Sequence, residues 1–180
     1  IQYLDSDPAN PNIGEVWFNS TSKSLKGHGV LGTGAWSSGG AMGTTRAQGA
    51  VAGTQTAGMV SGGNNPSGAS VNAEQYNGSS WSEVANLNVA RANQSGGGSQ
   101  TSAINAGGYG GSPAAYQTLT ESWNGSSWSE VAEMSTGRVQ AGGAGKTGDA
   151  VLVFGGEVSG GGTTANTELW NGSAWTEVNN

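Results

Sequence analysis

Four tryptophans, Trp36, Trp81, Trp128 and Trp175, stand 45, 47 and 47 residues apart. Arg46, Arg91 and Arg138 each follow one of the first three by ten positions, and the pairs Gly62-Gly63, Gly107-Gly108 and Gly155-Gly156 recur downstream. Glu74, Glu121 and Glu168 then precede an aromatic at Tyr76, Trp123 or Trp170 and a turn written "NGSSW", "NGSSW" or "NGSAW". Independent markers that keep one order at a fixed period define a repeat array, whose units bury a core by stacking on one another.

The irregularities locate the strands. Arginine to glycine pair takes 16, 16 and 17 residues, and glycine pair to glutamate takes 11, 13 and 12, whereas glutamate to tryptophan is always seven. Insertions therefore sit at hairpin tips, and the last two strands of a unit tolerate none. Each unit reads as four strands: a small-residue strand ("AQGAVAG", "ANQSGGG", "VQAGGAG"), one ending at the glycine pair, one around the glutamate, and one from the tryptophan. Asn-Gly between the last two is a hairpin signal, because both residues tolerate positive φ. No segment carries a helical apolar stripe. Glycine weakens an isolated strand, so its persistence in the first strand implies close backbone approach near a crowded axis.

Charge and composition exclude several functions. Six Lys plus Arg against twelve Asp plus Glu, a formal net charge of -6, supply no field for nucleic acid. No apolar run reaches the roughly 18 residues of a spanning helix, so membrane insertion is not expected. With no cysteine and His28 as the one histidine, neither a thiolate metal site nor a nucleophile-base pair can be assembled. The repeated glutamates occupy one position per unit, unlike the asymmetric pair of a glycosidase. The glycines lack the strand-turn-helix setting of a phosphate loop. No cofactor and no metal are expected, and the chain reads as a non-enzyme.

The order "VFGG", "TELW", "NGSAW", with "NLNVAR" and "EMSTGR" after the tryptophans, resembles the kelch family of β-propellers over about residues 36–180. The resemblance implies an all-β fold of kelch-like β-propeller blades. Three full four-stranded repeats, about 46–90, 91–137 and 138–180, would follow a partial N-terminal unit made from Glu15–Asn19, Ser24–His28 and Ala35–Ser38. Propellers hold four to eight blades, so closure would come from oligomerisation or from further sequence. Residues 1–35 read as a lead-in and attachment hairpin. The stretch from Pro8 to Lys26, with "GEVWFNSTSKSLK", is similar to hairpins of tailed-bacteriophage structural proteins. That likeness implies a virion location, other virion proteins as partners, a homo-oligomer on the particle exterior, and a host-surface glycan as a further partner.

Trp36, Trp81, Trp128 and Trp175 are expected between neighbouring sheets. Arg46, Arg91 and Arg138 are expected to tie the chain to carbonyls or to Glu74, Glu121 and Glu168. The variable tips are the candidate contact loops, represented by Asn64 and Asn65, Tyr109 and Ser112, and Glu157 and Ser159. A virion structural protein displaying these tips is the first reading. A carbohydrate-binding adhesive module is the alternative, and a glycan-degrading extracellular enzyme a third.

Overall fold

The computed structural model describes residues 2–10, 14–28 and 38–178, so Trp36 lies outside the described residues. The chain divides into two compact units, Ile1–Ser38 and Gly39–Asn180. The second holds three four-stranded antiparallel sheets, each with its strands side by side in chain order. The first comprises Ala50–Thr54, Ala57–Ser61, Ala73–Tyr76 and Trp81–Val84. The second comprises Ser95–Gly98, Ala103–Ala106, Thr120–Trp123 and Trp128–Val131. The third comprises Gly142–Thr147, Ala150–Phe154, Thr167–Trp170 and Trp175–Val178. The fold is all-β and its sheets are propeller-like blades. Among the described residues the second blade lies between the other two, and they form no closed ring.

The first strands begin about three residues later than their sequence suggests. Gln48, Asn93 and Gln140, each two residues after an arginine, have φ of 61°, 58° and 54°. A left-handed residue cannot continue a strand, so the chain turns there before entering the sheet. The tryptophan turns are four residues long, since Tyr76 pairs with Trp81 and Trp123 with Trp128. In each, the asparagine carboxamide oxygen accepts two backbone N–H groups, for Asn77 from Ser79 and Ser80 at 3.0 Å each. The glycine that follows takes positive φ.

Side chains alternate across each strand, giving every blade a forward face toward the next blade and a rear face toward the one before. Met59 and Ala73 on the forward face of the first blade, with Leu87 from the connection, pack against Ala103, Trp123 and Trp128 on the rear face of the second. Ile104 and Ala106, with Met134, pack against Val151, Val153 and Trp170 in the same way. The inner strands approach so closely that a Cβ on Gly143 would lie 2.4 Å from the Gly96 carbonyl oxygen. A side chain there would push two blades apart.

Each arginine staples the entrance of its blade. The Arg91 guanidinium donates to the carbonyls of Leu119 at 2.8 Å and Gly107 at 3.3 Å, and to Glu121 Oε1 at 2.9 Å. Glu121 Oε2 accepts the N–H of Asn88, three residues before the arginine, at 2.7 Å. Arg46 pairs with Glu74 and Arg138 with Glu168 in the same manner, and all six side chains are almost wholly buried. Burial draws the Arg91 guanidinium below its ordinary value, while the Glu121 carboxylate opposes that shift.

Among the described residues the N-terminal unit forms a three-stranded sheet of another topology than the blades. Val16–Asn19 and Ser24–Gly27 form an antiparallel hairpin, but Gln2–Leu4 adds to its other edge in parallel. The blades are antiparallel throughout. The third expected strand, Ala35–Ser38, falls almost entirely outside the described residues.

Replacing Arg91 with Met leaves Glu121 buried without its cation and is expected to destabilise the repeat unit by about 3–5 kcal/mol, measured by urea unfolding. A second test concerns two equivalent tryptophans. The Trp175 indole donates to Thr120 Oγ1 at 3.0 Å, whereas the buried Trp128 Nε1 has no partner among the described residues and its side chain packs in the cluster that holds Ala73, the counterpart of Thr120. Ala73→Thr is expected to supply the acceptor and raise stability by about 0.5–1.5 kcal/mol, read as a higher urea midpoint.

Candidate functional site

The expected contact loops are hairpins standing on the short segment that carries each arginine. Arg91–Ala92 pairs with Tyr109–Gly110, which pairs with Ala115–Tyr116. Arg138–Val139 pairs likewise with Glu157–Val158, and that strand with Gly162–Thr163. In the first blade Ala47 bridges to Asn64, and Asn64–Asn65 pairs with Gly68–Ala69. Each hairpin is reached through the glycine pair, both members of which have positive φ. The second glycine also joins the blades: Gly63 N–H donates to the Arg91 carbonyl at 2.9 Å, and Gly108 N–H to the Arg138 carbonyl at 2.8 Å.

Between the hairpins of the first two blades lies a cleft of about 500 Å³, lined by Asn64, Ala90, Asn93, Tyr109 and Gly110 among others. Tyr109 is 45% exposed and its ring is buttressed edge-on by Tyr116, with centroids 5.8 Å apart. Gln117 braces the same hairpin by donating to the Gly110 carbonyl at 2.7 Å. Gly110 is required there, because a Cβ would lie 2.1 Å from the Ala90 carbonyl oxygen. On the opposite wall Asn64 donates to Gln48 Oε1 at 2.8 Å, which orients its carboxamide. Asn93 is held by its own N–H, which donates to the Gln48 carbonyl at 3.0 Å. No side chain of the lining is charged.

Of the six expected loop residues, Asn64 and Tyr109 converge on this cleft. Asn65 turns inward to its own hairpin, its carboxamide oxygen accepting Ser67 N–H at 2.8 Å. Ser112 and Ser159 are exposed at the tips. Glu157 accepts a hydrogen bond from the Tyr116 hydroxyl at 2.6 Å, linking the second and third hairpins. That carboxylate raises the Tyr116 phenol above its ordinary value, so the donor proton stays in place at neutral pH. Asn93 and Gln48 were not singled out in the sequence, although both stand two residues after an arginine and Asn93 is of a type that tolerates positive φ. Among the markers, Trp128 is buried between blades, Trp175 is half-buried against the second blade, and Trp81 is half-buried on the rear face of the first.

No family model and no curated protein matches the chain. Among solved structures it is similar to the one described as "Structure of YjhT", at 22% identity and a TM-score of 0.61, covering 90% of this chain and 51% of that one. The chain thus spans about half the length of that structure, and at this identity the likeness is one of fold.

The phage reading is corrected by this result. The structure that the chain resembles is named as YjhT and not as a virion component, so the virion location, the virion partners and the structural role on a particle are withdrawn. The hairpin that suggested them has an internal explanation. Asp7 accepts hydrogen bonds from Trp17 Nε1 at 3.0 Å, Asn19 Nδ2 at 2.7 Å and Lys26 Nζ at 2.6 Å. Asn19 in turn caps the tip by accepting Thr21 and Ser22 N–H. The motif residues are thus engaged with one another.

These donors, Lys26 foremost, lower the Asp7 carboxyl from 3.8 to about 2. Its contribution is therefore complete above about pH 4 and is lost as the pH falls toward 2. The Trp17 indole N–H resonance is expected to shift across that window, and Asp7→Asn is expected to abolish the transition, as followed by NMR.

Proposed function

We propose that the chain is a carbohydrate-binding module built on β-propeller blades, with the cleft between the first two hairpins as its binding site. The observation that carries this reading is the convergence of an exposed, buttressed tyrosine ring with two asparagine carboxamides on one uncharged cleft. A sugar ring offers a face of C–H groups and an edge of hydroxyls. The Tyr109 ring covers the first, and the carboxamides of Asn64 and Asn93, donors and acceptors at once, match the second. Such a concave site with few polar groups suits a small ligand. The absence of charge in the lining favours neutral hexoses and N-acetylhexosamines over uronic or sialic acids. Amides, a phenol and small residues bind but do not exchange protons at neutral pH, so the reading is of binding without turnover.

The expected result is binding of neutral oligosaccharides on a glycan array that falls at least about tenfold, about 1.4 kcal/mol, in Tyr109→Ala and in Asn93→Ala. Circular dichroism should be unchanged in both. Binding that survives both substitutions, or no binding across neutral and acidic glycans, would overturn the assignment.

A further inference from the structure

The three hairpins share one plan, and a single position in it governs how neighbouring hairpins meet. Asn64, Tyr109 and Glu157 each follow a glycine pair, and they face Ala69, Tyr116 and Thr163 across their own hairpins. Where the first hairpin meets the second, Ala69 stands on one side and Tyr109 on the other, and both line the cleft. Where the second meets the third, Tyr116 takes the place of Ala69, and Glu157 that of Tyr109. There the phenol crosses the gap, and its hydroxyl donates to Glu157 Oε1 at 2.6 Å. A methyl group leaves one junction open, and a phenol bridges the other.

The middle hairpin thus carries one tyrosine for each junction, and the two are coupled. Tyr109 and Tyr116 are direct cross-strand partners whose rings meet edge to face at 82°. In that arrangement the positive edge of one ring meets the negative face of the other, so turning either ring weakens the contact. Tyr116 is half-buried, and its hydroxyl bond to a carboxylate is of the short, charge-assisted kind. Glu157 is itself held in place, because its strand pairs with Val139 on one side and Thr163 on the other. A continuous set of contacts therefore runs from a strand of the third hairpin to the exposed ring in the cleft.

We infer that Glu157 is a positioning residue of the cleft and acts through Tyr116: the carboxylate fixes the Tyr116 ring, and that ring fixes the face that Tyr109 turns to a ligand. Glu157 is not among the residues that line the cleft, so it adds no charge beside a neutral ligand. Its contribution is preorganisation, since a ring already held in its binding orientation loses less freedom when a sugar stacks on it. A cleft between two blades is in this way tuned by the third. The effect on affinity rests on the reading of the cleft as a glycan site, whereas the ordering of the Tyr109 ring does not.

The test compares Glu157→Ala, Glu157→Gln, Tyr116→Phe and the double variant Glu157→Ala/Tyr116→Phe with the wild type. One readout is the Tyr109 ring resonances and their cross-relaxation with Tyr116, measured by NMR on the free protein. The other is affinity for cellotetraose and chitotetraose, a neutral hexose and an N-acetylhexosamine oligomer. Glu157→Ala and Tyr116→Phe are expected to shift the Tyr109 resonances and to weaken binding by about three- to tenfold. The double variant should bind no worse than the weaker single one, because both changes break one bond. Glu157→Gln keeps an acceptor oxygen and should restore the resonances and most of the affinity. If Glu157→Ala does not fold, Tyr116→Phe, which removes one oxygen atom, carries the test. Unchanged Tyr109 resonances in the folded variants, or losses that add in the double variant, would overturn the inference. If the wild type binds neither oligomer, the resonances alone decide it, and the failure of binding counts against the glycan reading.

Discussion

A guanidinium enclosed beside a carboxylate, with almost no water in reach, is the constraint on which each blade depends. Removing two charges from solvent costs several kcal/mol apiece before relaxation, and their attraction offsets this only with good geometry and further hydrogen bonds. The blade supplies those bonds. Arg138 donates to the carbonyls of Asn166 and Gly155 as well as to Glu168, and Glu168 also accepts the Ser135 N–H. Four separate parts of the chain are held at one point: the incoming connection, the end of the second strand, the approach to the third strand and the third strand itself. A pair that breaks so expensively has a consequence for specificity, because any register that separates arginine from glutamate strands both.

The cleft follows from that anchor. The arginine fixes the segment from which the hairpin springs, the glycine pair turns the second strand into the hairpin, and the left-handed residue two positions on sets the distance between neighbouring blades. Loop residues can then vary without disturbing the sheets. Tyr109 and Asn64 stand at equivalent places after their glycine pairs, one aromatic and one amide, so the two walls of the cleft differ although the scaffold beneath them repeats. Function on such a scaffold resides in the difference between copies rather than in what they share.

Much of the scaffold was legible because it is written three times. The four-strand division, the turns at Asn77, Asn124 and Asn171, and the variable tips all follow from period and from the φ preferences of Asn and Gly. The start of the first strand was not legible. "ANQSGGG" contains an asparagine that tolerates positive φ, but Gln48 and Gln140 take the same conformation at the equivalent position, so residue type does not mark where the turn ends and the strand begins. The N-terminal segments were read as part of a blade because two of them are a hairpin. Their parallel partner, Gln2–Leu4, lies too far away in sequence for a pairing signal. The phage resemblance drew on residues whose interactions are local, namely the bonds of Asp7, Asn19 and Lys26.

The sequence by itself determined the repeat, the residues at its recurring positions and the places where length could change, since those depend on local backbone preference and on spacing. Tertiary structure alone decided which residues meet. Asn64 and Asn93 belong to different blades and share a cleft because the inner strands pack backbone to backbone. Trp123 is buried while its counterpart Tyr76 is half-buried among the described residues, because the depth to which a face is covered is set by what packs on it, which no property of either residue reports.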